Sequence, residues 1–137
     1  MVELIRLITD FGLLVLIWIV QLVIYPSFQY YQSQDLHNWH RQYTSRITTV
    51  VLPLMFTQLV VTVLQILTEI TLYSGISMLI VLALWLLTFL VFVPLHQKIE
   101  HQTYETKSLS KLVKFNWLRT GLWSILFLIS LFHVVNK

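Results

Sequence analysis

The sequence predicts an all-α integral membrane protein: an antiparallel four-helix bundle with an interfacial amphipathic helix between spans one and two. Three observations carry that expectation. Hydrophobic residues make up 57% of the chain and charged ones 11%, against roughly 25% charged in an ordinary soluble domain. The apolar residues gather in four runs, each near the ~20 residues a helix needs to cross a bilayer. Lys and Arg fall mainly in the two long polar connectors between those runs.

With 137 residues, the chain reads as a single four-helix transmembrane domain, 1–137. Without cysteine, disulfides, thiolate metal sites and cysteine nucleophiles are excluded. Three glycines are too few for a phosphate-cradling loop.

The spans are expected at about 8–28, 47–71, 77–96 and 112–132. Lipid offers the backbone no hydrogen bonds, so helices are the sensible form for such runs. The first run has no small-residue cleavage site after it and mixes Glu3 with Arg6 before it, so it reads as a retained span rather than a signal peptide.

The connector Ser27–Ser45 reads as structured. Ser33 is expected to cap a helix, with Asp35 in its first turn. Leu36, Trp39, His40, Tyr43 and Ile47 then recur at helical spacing, which predicts a surface helix that bends into span two. A turn near Tyr73-Ser74-Gly75 separates spans two and three. The second connector, Gln97–Ser110, is solvated, and Ser108 or Ser110 is expected to cap the last helix.

Arg41, Arg46, Lys98, Lys107, Lys111, Lys114 and Arg119 lie on the connector side, and Arg6 and Lys137 on the other. The positive-inside rule then places both connectors in the cytoplasm and both termini outside, which in a bacterium is the inner (plasma) membrane.

Polar residues inside the spans identify candidate functional groups, because intramembrane ionisable residues are costly unless they are paired or face a cavity. Span two carries Thr44, Thr48, Val51, Met55, Gln58, Thr62, Gln65 and Glu69 in steps of four and three, one helical face. That stripe serves either as interhelical glue or as a cavity wall. Gln21 and Tyr25 share a face of span one. Thr88, Phe92 and His96 share one of span three, and Asn116, Arg119, Thr120 and Trp123 one of span four.

Pro26, Pro53 and Pro94 remove backbone donors at or beside the same half of the bundle. Convergence there predicts a pocket whose ligand-binding residues are Gln21, Tyr25, Tyr43, Arg46, Gln58, Asn116, Arg119 and Trp123. Arg119 either snorkels to the headgroups or faces inward beside Asn116 and Tyr25 as an anion site. His96 and His40 are the candidate catalytic residues, for proton transfer. Haem ligated by His40 and His96 is the less favoured alternative, because neither HExxH nor a carboxylate cluster accompanies them; no metal site is assigned. Asp10 signals nothing specific.

Gln21…Tyr25-Pro26…Phe28, His40…Tyr43…Arg46, Pro53-Leu54-Met55, Val93-Pro94-Leu95-His96 and Asn116-Trp117-Leu118-Arg119-Thr120…Trp123 together resemble a group of small four-helix bacterial membrane proteins with no assigned activity. In length and helix count the chain is more distantly similar to the anthrone-oxygenase-like family. That resemblance implies an oxygenase acting on a phenolic substrate without an obvious cofactor, and it transfers no catalytic residue to this chain.

The functional expectation is a pocket in the cytoplasmic half that binds a small amphipathic or aromatic molecule, with oxidoreductase or oxygenase-like turnover left open. A small transporter or proton conductor and a non-catalytic scaffold are the alternatives. The expected partners are membrane lipids and a small hydrophobic or aromatic ligand, with no nucleic acid. A homo-oligomer remains open through a close-packing patch at Gly121 and Ser124.

Overall fold

The computed structural model describes residues 1–101, 103 and 106–136. Among these the chain is helical almost throughout, and four helical stretches are long and apolar enough to cross a membrane: Val2–Tyr30, Ser33–Thr68, Leu72–Glu100 and Lys107–Val135. Each extends beyond the span expected from hydropathy at one end or both. Gln102, Tyr104 and Glu105 of the second connector, and Lys137 of the charge pattern, lie outside the described residues.

The first stretch is α1 (Val2–Ile19), a π-helical turn (Val20–Ile24), α2 (Tyr25–Ser27) and a 3₁₀ turn (Phe28–Tyr30). The third stretch is built alike: α4 (Leu72–Leu87), a π-helical turn (Thr88–Phe92) and α5 (Val93–Glu100). Both wide turns have a proline two residues after them, Pro26 and Pro94. A proline ring clashes with the carbonyl four residues before it and cannot donate to it. Those carbonyls belong to Leu22 and Leu90, inside the widened turns, where the extra residue relieves the crowding.

Span two corrects several expectations. α3 (Ser33–Thr68) is one 36-residue helix, so the interfacial amphipathic helix is not a separate element bent from span two but its opening turns. The buried face of Leu36, His40 and Tyr43 is instead covered by the ends of spans one and three. Pro53 sits within α3 without ending it. Gln32, not Ser33, holds the N-cap position, and no side chain caps it.

The break before span three falls at Glu69–Thr71, ahead of the expected Tyr73-Ser74-Gly75 turn. A reciprocal capping box there joins the Thr71 and Ser74 side chains to each other's backbone N–H groups. The last helix, α6 (Thr106–Val135), starts before Ser108 and Ser110, so neither is its cap.

α1 packs against α3 and α6, and α4 also packs against α3 and α6. Leu13, Ile17, Leu84, Trp123 and Leu126 form the centre of the apolar core. Outward, Leu22, Leu79, Leu90 and Leu128 are all more than half exposed. So continuous an apolar exterior suits acyl chains rather than water.

Candidate functional site

The polar side chains of the interior divide into two clusters at different levels of the helices. The first joins the connector ends. Tyr25 leaves the π-turn of span one pointing inward, and its hydroxyl is hydrogen-bonded to His96 Nε2 at 3.0 Å. His96 Nδ1 meets His40 Nε2 at 2.8 Å. The three side chains thus form a chain from span one through span three to the opening turns of α3. Phe28 packs edge-on against both His40 and Tyr43, which fixes those rings. His40 Nδ1 is buried and has no hydrogen-bond partner among the described residues. Haem ligation by the two imidazoles would require them to separate.

Arg119 faces inward rather than snorkelling: it is only 7% exposed. Its guanidinium carbon lies 4.2 Å from the centre of the Phe92 ring and 5.0 Å from that of Trp123, a cation–π seat. The phenols of Tyr25 and Tyr43 lie beside it. Among the described residues no carboxylate pairs with it, and its buried Nε has no hydrogen-bond partner.

These groups line a cavity of about 400 Å³, within the ~300–1,000 Å³ range of small-molecule sites. Tyr25, Tyr43, His96, Arg119 and Trp123 are on its wall, so five of the expected site residues are brought together. Val51, Met55, Trp85 and Phe89 add the apolar part. The Trp85 Nε1 atom is a second buried donor on this wall without a partner among the described residues.

Five expected site residues are not on that wall. His40 stands behind His96. Asn116 turns away from Arg119 and donates to Gln21 Oε1 at 2.9 Å, while Gln21 donates to the Val113 carbonyl at 3.3 Å. Those two amides tie span one to span four, because a buried amide must find partners or forfeit its desolvation energy. Arg46 is exposed, at the flank of the α3 face that Leu36, His40 and Tyr43 bury. Gln58 belongs to the second cluster.

The second cluster lies at the ends bearing the termini. Its α3 members Gln58, Thr62 and Gln65 come from the stripe expected as interhelical glue or cavity wall, and it is the Arg6–Asp10 pair they bond that escaped the sequence reading. Asp10 accepts from Arg6 Nε at 2.7 Å, from Gln58 Nε2 at 2.6 Å and from Ser130 Oγ. Arg6 NH1 also donates to Thr62 Oγ1 and to Gln65 Oε1. Arg6 and Asp10 are completely buried. Opposite charges four apart in a helix were the available signal, obscured by counting Arg6 only as a flanking charge. Trp123 Nε1 donates to Gln58 Oε1 at 3.3 Å, linking this cluster to the cavity wall.

The chain matches no family model, no curated protein and no solved structure.

Proposed function

We propose that this chain is an inner-membrane antiparallel four-helix bundle that binds a small amphipathic or aromatic molecule with an acidic oxygen, in the cavity beside Arg119. Both termini would lie outside and both long connectors in the cytoplasm, so the cavity occupies the cytoplasmic half. The orientation is supported by the Lys and Arg distribution. Arg6 does not weigh against it, because its charge is taken up by Asp10.

The observation that carries the reading is the Arg119 guanidinium, buried on a cavity wall with no carboxylate partner among the described residues. A cation in a low-dielectric site is stable only with compensating charge or hydrogen bonds, and a ligand oxygen supplies both. Phe92 and Trp123 hold the guanidinium in place, so binding costs little further side-chain ordering.

Beside the ligand, Tyr25, His96 and His40 form a route for a proton. A hydroxyl and a neutral imidazole each donate and accept, so a proton taken from the ligand oxygen at Tyr25 passes to His96 and on to His40. In that role these groups would poise the ligand for chemistry, while Arg119 holds the negative charge left on oxygen.

Transport has weaker support. The polar groups at the two levels connect through Trp123 and Gln58, and an indole N–H donates but cannot accept. That link is no proton wire.

The test is mass spectrometry of small molecules extracted from the purified protein and from Arg119→Leu. The wild type is expected to carry an acidic aromatic or amphiphilic compound that the variant lacks, with both proteins folded. Identical extracts from the two would overturn the reading.

A further inference from the structure

We infer that the cavity takes its ligand sideways from the bilayer and holds it head-in and tail-out: a single-chain amphiphile whose acidic head meets Arg119 while its apolar tail stays among the lipids. This rests on the reading of the Arg119 cavity as a ligand site and specifies which class of ligand that site takes.

The argument comes from which parts of the wall are covered. The deep wall is supplied by spans one and four through Ile17, Val20, Tyr25, Arg119 and Trp123, all buried. The exposed lining residues belong to α3 and to span three, so the mouth is the gap between those two helices.

Along the mouth, Leu52 is 50% exposed, Phe89 56% and Val93 36%. This part of the rim is apolar and lies within the stretches long and apolar enough to cross the membrane, where it would face acyl chains. Thr48, Gln97 and Glu100 are exposed lining residues elsewhere on the rim. An anion approaching past Glu100 meets a like charge, whereas the Leu52, Phe89 and Val93 edge opposes nothing apolar.

A ligand that satisfies Arg119 must therefore set its charged end deep and leave its apolar end at the rim. That is the reverse of a lipid resting against a protein surface with its head in water. Trp85 and Trp123, both on the wall, lie alongside such a ligand. Trp18, Trp39 and Trp117 are not among the lining residues, and the first and last of these pack on each other edge to face.

The five tryptophans make the test direct. The full chain is labelled with 5-fluorotryptophan, placed in phosphatidylcholine nanodiscs and followed by fluorine NMR during titration with dodecanoate, dodecanol or benzoate. Dodecanoate is expected to shift the Trp85 and Trp123 signals saturably and leave the other three in place. Dodecanol, with the tail but no charge, should bind about tenfold more weakly or worse, the discrimination of one charge-assisted contact. Benzoate, with the charge but no tail, should also bind about tenfold more weakly or worse, because it does not concentrate in the bilayer from which the cavity is entered. Arg119→Gln should bind dodecanoate no better than dodecanol, with the unchanged Trp18 and Trp117 signals reporting an intact fold.

If benzoate shifts Trp123 as tightly as dodecanoate, the ligand is a short acid and the tail-out arrangement falls while the anion cavity stands. If dodecanoate shifts all five signals together, it merely partitions into the bilayer, and the inference falls. If no acid of either kind shifts Trp85 or Trp123, the cavity is not an anion site and both readings fall together.

Discussion

Removing the charge from Asp10 while keeping its shape should cost more stability than almost any other single change in this chain. In Asp10→Asn the amide occupies the same volume, but three donors, from Arg6, Gln58 and Ser130, then converge on a group with one acceptor oxygen. Arg6 would be left as an uncompensated cation with no exposure at all. Breaking a buried pair from one side costs about 3–5 kcal/mol. Arg6→Met strands the carboxylate instead and should cost a similar ~3–5 kcal/mol.

The double variant Arg6→Met/Asp10→Asn carries neither charge, and replacing a buried pair with neutral groups of similar volume is often nearly neutral. It should therefore be more stable than either single variant. Reversible unfolding in mixed micelles of increasing SDS content, followed by tryptophan fluorescence, measures all four proteins and closes the cycle. Equal stability of Asp10→Asn and the wild type, or costs that simply add in the double variant, would refute the coupling.

Gln21→Leu and Asn116→Leu each strand one amide of the tie between spans one and four, and should cost about 1–3 kcal/mol with less than additive loss when combined; the same SDS titration reads this. Neither change should alter dodecanoate binding, because these amides are off the cavity wall. Thr71→Ala removes one half of the capping box before α4 and should cost about 0.5–2 kcal/mol, measured in the same way. Pro94→Ala restores a backbone donor and allows the Thr88–Phe92 turn to tighten to α-helical register, which would rotate the preceding residues by roughly one position, ~100°. Fluorine NMR should then show the Trp85 signal displaced without ligand, with helical circular dichroism unchanged; an unmoved Trp85 signal would separate the wide turn from the proline.

Hydropathy alone located the four helices long and apolar enough to cross a membrane, because runs such as Leu79–Leu87 and Ile125–Phe132 would have no other low-energy form in lipid. It could not locate their ends. The opening of α3 is as polar as a surface helix, and only the contacts of Leu36, His40 and Tyr43 with the ends of spans one and three make it continuous with span two. Side-chain periodicity identified Tyr25, His96, Arg119 and Trp123 as groups sharing inward faces.

What periodicity could not provide was depth. Gln58 and Asn116 lie on inward faces as expected, yet each has a nearer partner, Asp10 for one and Gln21 for the other, that intercepts it before it reaches the cavity. Helical periodicity specifies direction around a helix. Which groups meet across helices depends on their axial registration, which is set by the whole packed core.

Two arginines are buried in this interior, and comparing them separates structure from site. Arg6 keeps one unpartnered nitrogen, NH2, and so does Arg119 at Nε; an orphan donor alone therefore does not distinguish them. Charge does. Arg6 is neutralised by Asp10 within its own helix and bonded to span two through Thr62 and Gln65, so it is a tie whose loss is felt as instability. Arg119 has aromatic faces on which to rest but no anion among the described residues, and it borders empty space where Arg6 is enclosed by its partners. Cation–π contacts contribute about 2 kcal/mol when desolvated, less than the several kcal/mol that burying an ion costs. The shortfall is what an acidic ligand would repay, which is why neutralising Arg119 should leave the fold standing and empty the cavity, whereas neutralising either member of the Arg6–Asp10 pair should do the opposite.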